Sequence, residues 1–511
     1  MGAGDGIDRR RFLAGAGVSA VALAAQAGCA DDAVKTATAV AATVRRGRAR
    51  RVARVPRTLA QAMRGPVFTR GAPGFSAVSK VYNERFDGVV PQAVARPIDS
   101  ADVSAAVQWC AAKGVPMRAR SGGHSYAGYS TLSGGVVLDL SGLRSISVDR
   151  RAGSATISAG AQLIDVYAGL AAHGATIPAG SCPSVGVSGV TLGGGMGLAA
   201  RAFGLTLDNV VGFKVVTADG RIRIVNKNSN PDLFWALRGG GGGNFGVVTT
   251  FTFKVHPLPS SAAYFNVRWP WSSASQAIAA WQSWAPHTTD KITSVFHIDA
   301  GAGNSINANG QYLGPSSALP GLLGPLLSVP GARLSSAFDS GYLLLQKLLA
   351  GCSTIGLTAC HTVGTRPGGT LSRASFAAKS DYVSRPLPSA ARSVLIHAAE
   401  QRNSLPGSGA ILFDAYGGAI NRVSPTATAF VHRDELFCIQ YLSYDGGGAW
   451  LSQTHAAMRK YVSGQAYQNY IDAGLSGWQQ AYYGRNYNRL QSIRRSIDPH
   501  HFFNFPQAIG R

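Results

Sequence analysis

Acidic residues are scarce in this chain: 25 Asp and Glu stand against 48 Lys and Arg, for a net charge of +23 over 511 residues. A surplus of this size invites a nucleic-acid reading. Three absences count against it, since no basic stretch is interleaved with aromatics and neither zinc-finger spacing nor an RNP-like motif occurs. Much of the charge is also local, in Arg45, Arg46, Arg48, Arg50, Arg51, Arg54 and Arg57. Such a run reads as a solvated linker, so no specific nucleic-acid partner is expected. Cysteine is scarce too: Cys29, Cys110, Cys182, Cys352, Cys360 and Cys438 make six. No two form a C-x-x-C pair, which argues against zinc ribbons and thioredoxin-like redox sites. Cys352 and Cys360 are left open, either as a disulfide of an exported protein or as two reduced, buried thiols. H-E-x-x-H, G-x-S-x-G and metal-ligand spacings are missing as well, so no metal is expected. No apolar run reaches membrane-spanning length.

Glycine, by contrast, is abundant at 63 residues, and it is clustered. Clustered glycine marks places where backbone passes close to a ligand or another strand. The N-terminus carries a second signal. Asp8-Arg9-Arg10-Arg11-Phe12-Leu13 leads into an apolar, Ala/Gly-rich stretch to Ala27, the pattern of an export signal. The paired arginines resemble a twin-arginine signal, although Asp8 stands where Ser or Thr is usual. Cys29 follows Ala27-Gly28, leaving a lipid anchor open. Residues 1–35 therefore read as signal, 36–75 as basic linker, 76–258 as a first globular domain, 259–455 as an inserted second domain, and 456–511 as a segment closing the first. In the first domain, Val210 to Val225 predicts a hairpin around Asp219-Gly220. Asn230-Pro231 predicts the start of a short helix.

Three loops carry the chemistry. Arg118-Ala119-Arg120-Ser121-Gly122-Gly123-His124-Ser125 has paired glycines and arginines whose N–H groups can converge on an anion. Gly180 to Gly197 holds Cys182, Val185, Gly186, Gly189, Gly193 and Gly194. A cysteine in such a loop is a candidate for thiolate character. Gly239 to Val248 holds Gly243, Asn244, Gly246 and Val248. Its formal G-x-G-x-x-G is rejected as a dinucleotide fingerprint, because a helix precedes it and a strand follows, the reverse of the required order.

Together with Tyr482-Tyr483-Gly484-Arg485-Asn486-Tyr487 near the C-terminus, these loops resemble the berberine-bridge-enzyme-like oxidases of the vanillyl-alcohol-oxidase type across almost the whole chain. The resemblance implies an α+β fold: a PCMH-type FAD-binding domain with an inserted antiparallel-sheet substrate domain. It implies FAD held bicovalently, His124 to the flavin 8α-methyl and Cys182 to C6. It implies cofactor contacts from Arg120, Ser121, Gly122, Gly123, Ser125, Val185, Gly186, Gly189, Gly193, Gly194, Gly243, Asn244, Gly246, Val248, Tyr482 and Asn486. Val185, a small residue, leaves room for oxygen where a Leu hinders it. Tyr470 matches a catalytic tyrosine, and Tyr416 and Gln440 match substrate-lining positions. Some relatives place a Glu base on the strand of Gln440. Here Cys438 and Gln440 share that face, which favours Tyr470 as the proton acceptor. A phenol is a poor base near neutrality unless its surroundings activate it. His501 stands where relatives often have Asn. The expected protein is an exported, monomeric FAD oxidase of a sugar or natural-product alcohol or amine, with molecular oxygen as acceptor. A flavin dehydrogenase and a non-catalytic flavin or polyanion binder are the alternatives.

Overall fold

The computed structural model describes residues 55–510 apart from Ala302. The twin-arginine-like segment, Cys29 and the arginines up to Arg54 lie outside the described residues.

Two small sheets share one core. Val67–Thr69, Ala93–Ala95, Val136–Asp139 and Met117–Arg120 form a four-stranded sheet in that order, parallel across its last two pairings. Ile146–Asp149, Ser154–Ser158, Val247–Lys254, Val210–Val216 and Ile222–Asn226 form a five-stranded antiparallel sheet. The helix Ser100–Lys113 packs against both. Asp99 caps it by accepting from the Ala101 and Asp102 amides, and Gly114 ends it in the left-handed region, at φ +65°.

The expected hairpin forms around Asp219-Gly220. The helix Pro231–Leu237 follows, but Asn230 begins it through a left-handed backbone, at φ +56°, without a side-chain cap. The Asn230 side-chain Nδ2 donates instead to Ile224 O at 2.8 Å. The linker expected for 36–75 is corrected from Thr58 onward. A capping box of Thr58 and Gln61 starts the helix Leu59–Ala62, and Leu59 and Met63 are buried in the shared core. Elements of three to five residues are too short to show an apolar period.

Residues 262–444 build a seven-stranded, wholly antiparallel sheet. Its order is Arg333–Ser340, Ala262–Trp269, Ser305–Tyr312, Ile292–Ala300, Ser408–Ala415, Phe437–Tyr444, Phe376–Val383. Strand alternation separates two faces. Phe296, Ile298, Ile411, Phe413 and Ile439 pack around Trp281, under the helices Ala274–Trp284, Ser389–Arg402 and Gly448–Met458. Val295, His297, Asn309, Leu412, Asp414 and Gln440 take the opposite face. Gly314 to Pro330, which reads as loop, carries the short helices Leu319–Leu322 and Gly324–Leu327.

After residue 465 the chain returns to the first core, where Tyr482, Tyr483, Leu490, Ile493 and Phe503 are buried. Cys352 and Cys360 form a disulfide with Cα atoms 5.7 Å apart, which resolves their two readings. No helix among the described residues is long and apolar enough to cross a membrane.

Candidate active site

A cavity of about 680 Å³ lies between the glycine loops and the polar face of the seven-stranded sheet. The loop carrying His124 continues the strand Met117–Arg120, and Ser121 Oγ anchors it by donating to Ala159 O at 2.6 Å. It interlocks with the loop carrying Cys182. A Cβ on Gly122 would fall 2.2 Å from the Gly186 nitrogen, so both positions require glycine. The His124 ring stacks on Tyr82, centroids 4.0 Å apart and planes 17° apart, and its Nε2 lies 2.9 Å from Ser184 Oγ. Desolvation pushes the imidazole down to about 3, so it is neutral.

Cys182 lies in the same wall. It is exposed to the cavity, and desolvation by the surrounding walls raises the thiol above its ordinary value. The expected thiolate character is therefore corrected. Desolvation is the cause.

Opposite, Tyr470 ends the 3₁₀ turn Gln468–Tyr470. Its hydroxyl donates to Asp414 Oδ2 at 2.9 Å. Its ring stacks on Tyr126, centroids 5.5 Å apart and planes 9° apart, and the Tyr126 hydroxyl accepts from Gln440 Nε2 at 2.6 Å. Desolvation, and then the Asp414 charge, hold the Tyr470 phenol well above 10. Desolvation also lifts the Asp414 carboxyl to about 6, against the opposing hydrogen bond from Tyr470. A phenol this weakly acidic takes up a proton only by passing its own onward, and Asp414 is placed to receive it.

Ser125, Val185, Gly189, Gly243, Asn244, Gly246, Val248 and Tyr482 also line the cavity. A Cβ built on Gly189 meets nothing within 4 Å, so the wall there is open on the cavity side. A cavity of this volume with such backbone walls and His124 and Cys182 upon it fits a flavin dinucleotide. Other expected residues lie elsewhere. Arg120 lines the cavity but turns its guanidinium away, to Asp139 at 3.2 Å and to the Val78 carbonyl at 2.5 Å. Gly193 and Gly194 are outside the wall. A Cβ on Gly193 would fall 2.0 Å from Asn469 Oδ1, so this glycine admits the segment that carries Tyr470. Asn486 donates to the carbonyl of Pro425 at 2.8 Å and to those of Thr428 and Ala429, which pins a loop. Tyr416 is also behind the wall, fully buried, 2.8 Å from the Tyr382 hydroxyl. It follows the end of its strand, so alternation no longer orients it. His501 adopts φ +51°, the left-handed region that Asn tolerates well.

Sequence reasoning missed Asp414, Tyr126, Tyr82, Ser184 and His297. Tyr126 follows His124 by two residues, and Asp414 is the one acid in the apolar run Ala410-Ile411-Leu412-Phe413-Asp414-Ala415. Both signals were readable. The carboxylate absent from the strand of Gln440 lies directly across the ladder, where Asp414 pairs with Cys438.

A family model described as an FAD binding domain matches residues 91–226, and one described as berberine and berberine like matches residues 466–510. The uncharacterized FAD-linked oxidoreductase YgaK of Bacillus subtilis is 34% identical over 87% of this chain and 96% of its own length. The structure of BBE-like 1 from Physcomitrella patens superposes with a TM-score of 0.81 at 32% identity, covering 88% of this chain and 99% of that one. Glucooligosaccharide oxidase from Acremonium strictum, with its 6-S-cysteinyl, 8α-N1-histidyl FAD, gives 0.79 at 28% identity, over 88% and 98%. The chain therefore belongs to the berberine-bridge-enzyme-like FAD-linked oxidoreductases, enzymes with a PCMH-type FAD-binding fold, and FAD is its cofactor.

Proposed function

We propose that this protein is an exported oxidase of carbohydrate or natural-product alcohols. In this reading His124 and Cys182 hold FAD covalently, molecular oxygen is the final acceptor and hydrogen peroxide the product. Bound FAD supplies the hydride acceptor. The observation that carries the reading is the Tyr470–Asp414 pair, joined at 2.9 Å in a cavity whose far wall holds His124 and Cys182.

Tyr470 takes the proton of the substrate hydroxyl as its own phenolic proton moves to Asp414. Tyr126 and Gln440 keep the phenol in place by stacking and by the bond between them. The glycine loops, with the segment after residue 455, hold the cofactor. The seven-stranded sheet presents the substrate face. On it, Asn309 and Gln440 offer both donor and acceptor atoms, and His297 Nε2 has no hydrogen-bond partner among the described residues. Tyr264 and Tyr444 add aromatic surface. Amides, an imidazole and aromatic rings suit a polyhydroxylated substrate. The carbohydrate substrate class of the glucooligosaccharide relative supports the same choice. Val185 beside Cys182 leaves space for oxygen, and the arginine-led N-terminal segment supports export.

Peroxide formation is expected from a panel of mono- and oligosaccharides and phenolic alcohols. Reduced protein that reoxidises very slowly with oxygen in stopped flow, yet rapidly with a quinone or dye, makes the protein a dehydrogenase instead.

A further inference from the structure

His124 has two ring nitrogens, and the fold treats them differently. Nε2 lies 2.9 Å from Ser184 Oγ, and Ser184 Oγ accepts from Thr362 Oγ1 at 2.7 Å. Ser184 is 3% exposed and Thr362 1%, so bulk water does not compete for these bonds. No described residue is hydrogen-bonded to Nδ1. The support behind Ser184 is itself fixed. Thr362 directly follows His361, whose Nε2 lies 3.2 Å from Asp165 Oδ2 on the helix Leu163–Ala171. The Cys352–Cys360 disulfide closes the loop immediately before it. Tyr82, stacked 4.0 Å from the His124 ring, blocks the ring from turning over.

We propose that Ser184, oriented by Thr362, is a positioning residue that holds the proton of His124 on Nε2 and so presents the Nδ1 lone pair to the flavin, the histidyl nitrogen through which FAD is linked in the Acremonium strictum relative. The inference rests on the covalent reading of His124 given above. The chemistry explains why a hydroxyl suits this position. Before attachment Ser184 accepts from Nε2–H and from Thr362, which uses the two acceptor sites of its oxygen. After attachment Nε2 carries only a lone pair, and the same hydroxyl donates to it. An alkyl group does neither. The overall change balances. An Nδ1–C8α bond replaces one C–H bond of the methyl group. Two electrons leave through the isoalloxazine ring to molecular oxygen. With one proton from the methyl and one from the imidazole, oxygen becomes hydrogen peroxide. Burial keeps the ring neutral beforehand, so the lone pair is available.

The test uses the full chain in a Cys182→Ala background, where His124 is the one remaining link. Protein produced under riboflavin limitation is mixed with FAD, and flavin retained after acid precipitation is followed in time. FAD bound before acid treatment is measured in parallel. Ser184→Ala is expected to slow acid-stable attachment by about tenfold, the weight of one hydrogen bond in a rate. Thr362→Val is expected to slow it less, and Thr362→Ser to match the parent, with native FAD binding equal in all. Ser184→Ala attaching at the parent rate overturns the proposal. If Ser184→Ala binds no FAD at all, the Thr362 pair decides: equal rates for Val and Ser overturn the proposal, and slow attachment restored by Ser supports it. Complete release of flavin by acid from the Cys182→Ala parent overturns the His124 tether itself, and the positioning role with it.

Discussion

The two sides of the cavity are built on opposite principles. The cofactor side is backbone: loops at 121–126 and 182–189 that interlock because Gly122 and Gly186 have no Cβ. The substrate side is side chain: one face of a seven-stranded sheet on which Asp414, Gln440, His297 and Asn309 stand. Close backbone approach demands glycine at fixed positions, and that demand leaves a motif. A sheet face demands only alternation, and almost any polar residue satisfies it. The cofactor side therefore announces its ligand, whereas the substrate side is free to differ.

The comparison breaks most visibly at the cofactor. Denatured protein is expected to keep its flavin in His124→Ala and in Cys182→Ala, and to lose all of it in the double variant. Acid precipitation followed by flavin absorbance reads this directly, and a double variant that keeps flavin places a link elsewhere. On the substrate side, Asp414→Asn is expected to lower kcat by about 10²- to 10⁴-fold, the usual weight of proton transfer, with FAD still bound. The pH profile of kcat should rise through about 6, where the parent carboxyl ionises. The sign follows from the chemistry: only ionised Asp414 can receive the Tyr470 proton, so activity is lost as pH falls through that value. A profile flat between pH 5 and 8 removes Asp414 from the relay. Burial raises this carboxyl, so its ionisation opposes folding above pH 6. Asp414→Asn is thus expected to be at least as stable as the parent at pH 8, which separates lost chemistry from lost fold.

Smaller effects sharpen the contrast. Replacing Cys352 and Cys360 by Ser should cost about 2.5 kcal/mol of unfolding free energy through the short loop they close, measured by urea titration. Gln440→Leu leaves the Tyr126 hydroxyl without its 2.6 Å partner. The expected rise in apparent KM is about fivefold, one neutral hydrogen bond, with the flavin spectrum unchanged.

Much of the glycine-rich cavity wall is legible in the sequence. His124, Cys182 and the glycines of three loops follow from residues within a few positions of one another, and the reversed order of helix and strand around Gly243 excluded a Rossmann site. Gly193, Gly194 and Asn486, expected as cofactor contacts, do not line the cavity. A glycine that admits Asn469 looks in sequence like one that admits a ligand, and the partner is 276 positions away. Tyr416, expected on the substrate side from the resemblance alone, lies behind the cavity wall against Tyr382. Asp414 was missed because its meaning depends on Tyr470, which arrives from a distant turn. The loop makes Cys182 a candidate for thiolate character, and desolvation, which no local pattern reports, raises its thiol instead.

The sequence by itself determined which cofactor this protein carries and where the chain approaches it, because glycine spacing and loop order are local constraints that backbone geometry imposes. Only the tertiary structure decided which groups stand beside the Tyr470 hydroxyl and beside His124 Nε2. Those outcomes depend on Asp414 meeting Tyr470 across 56 positions, and on Thr362 meeting Ser184 across 178. Such pairings arise from strand register and loop packing, and neither is written in any short stretch of residues.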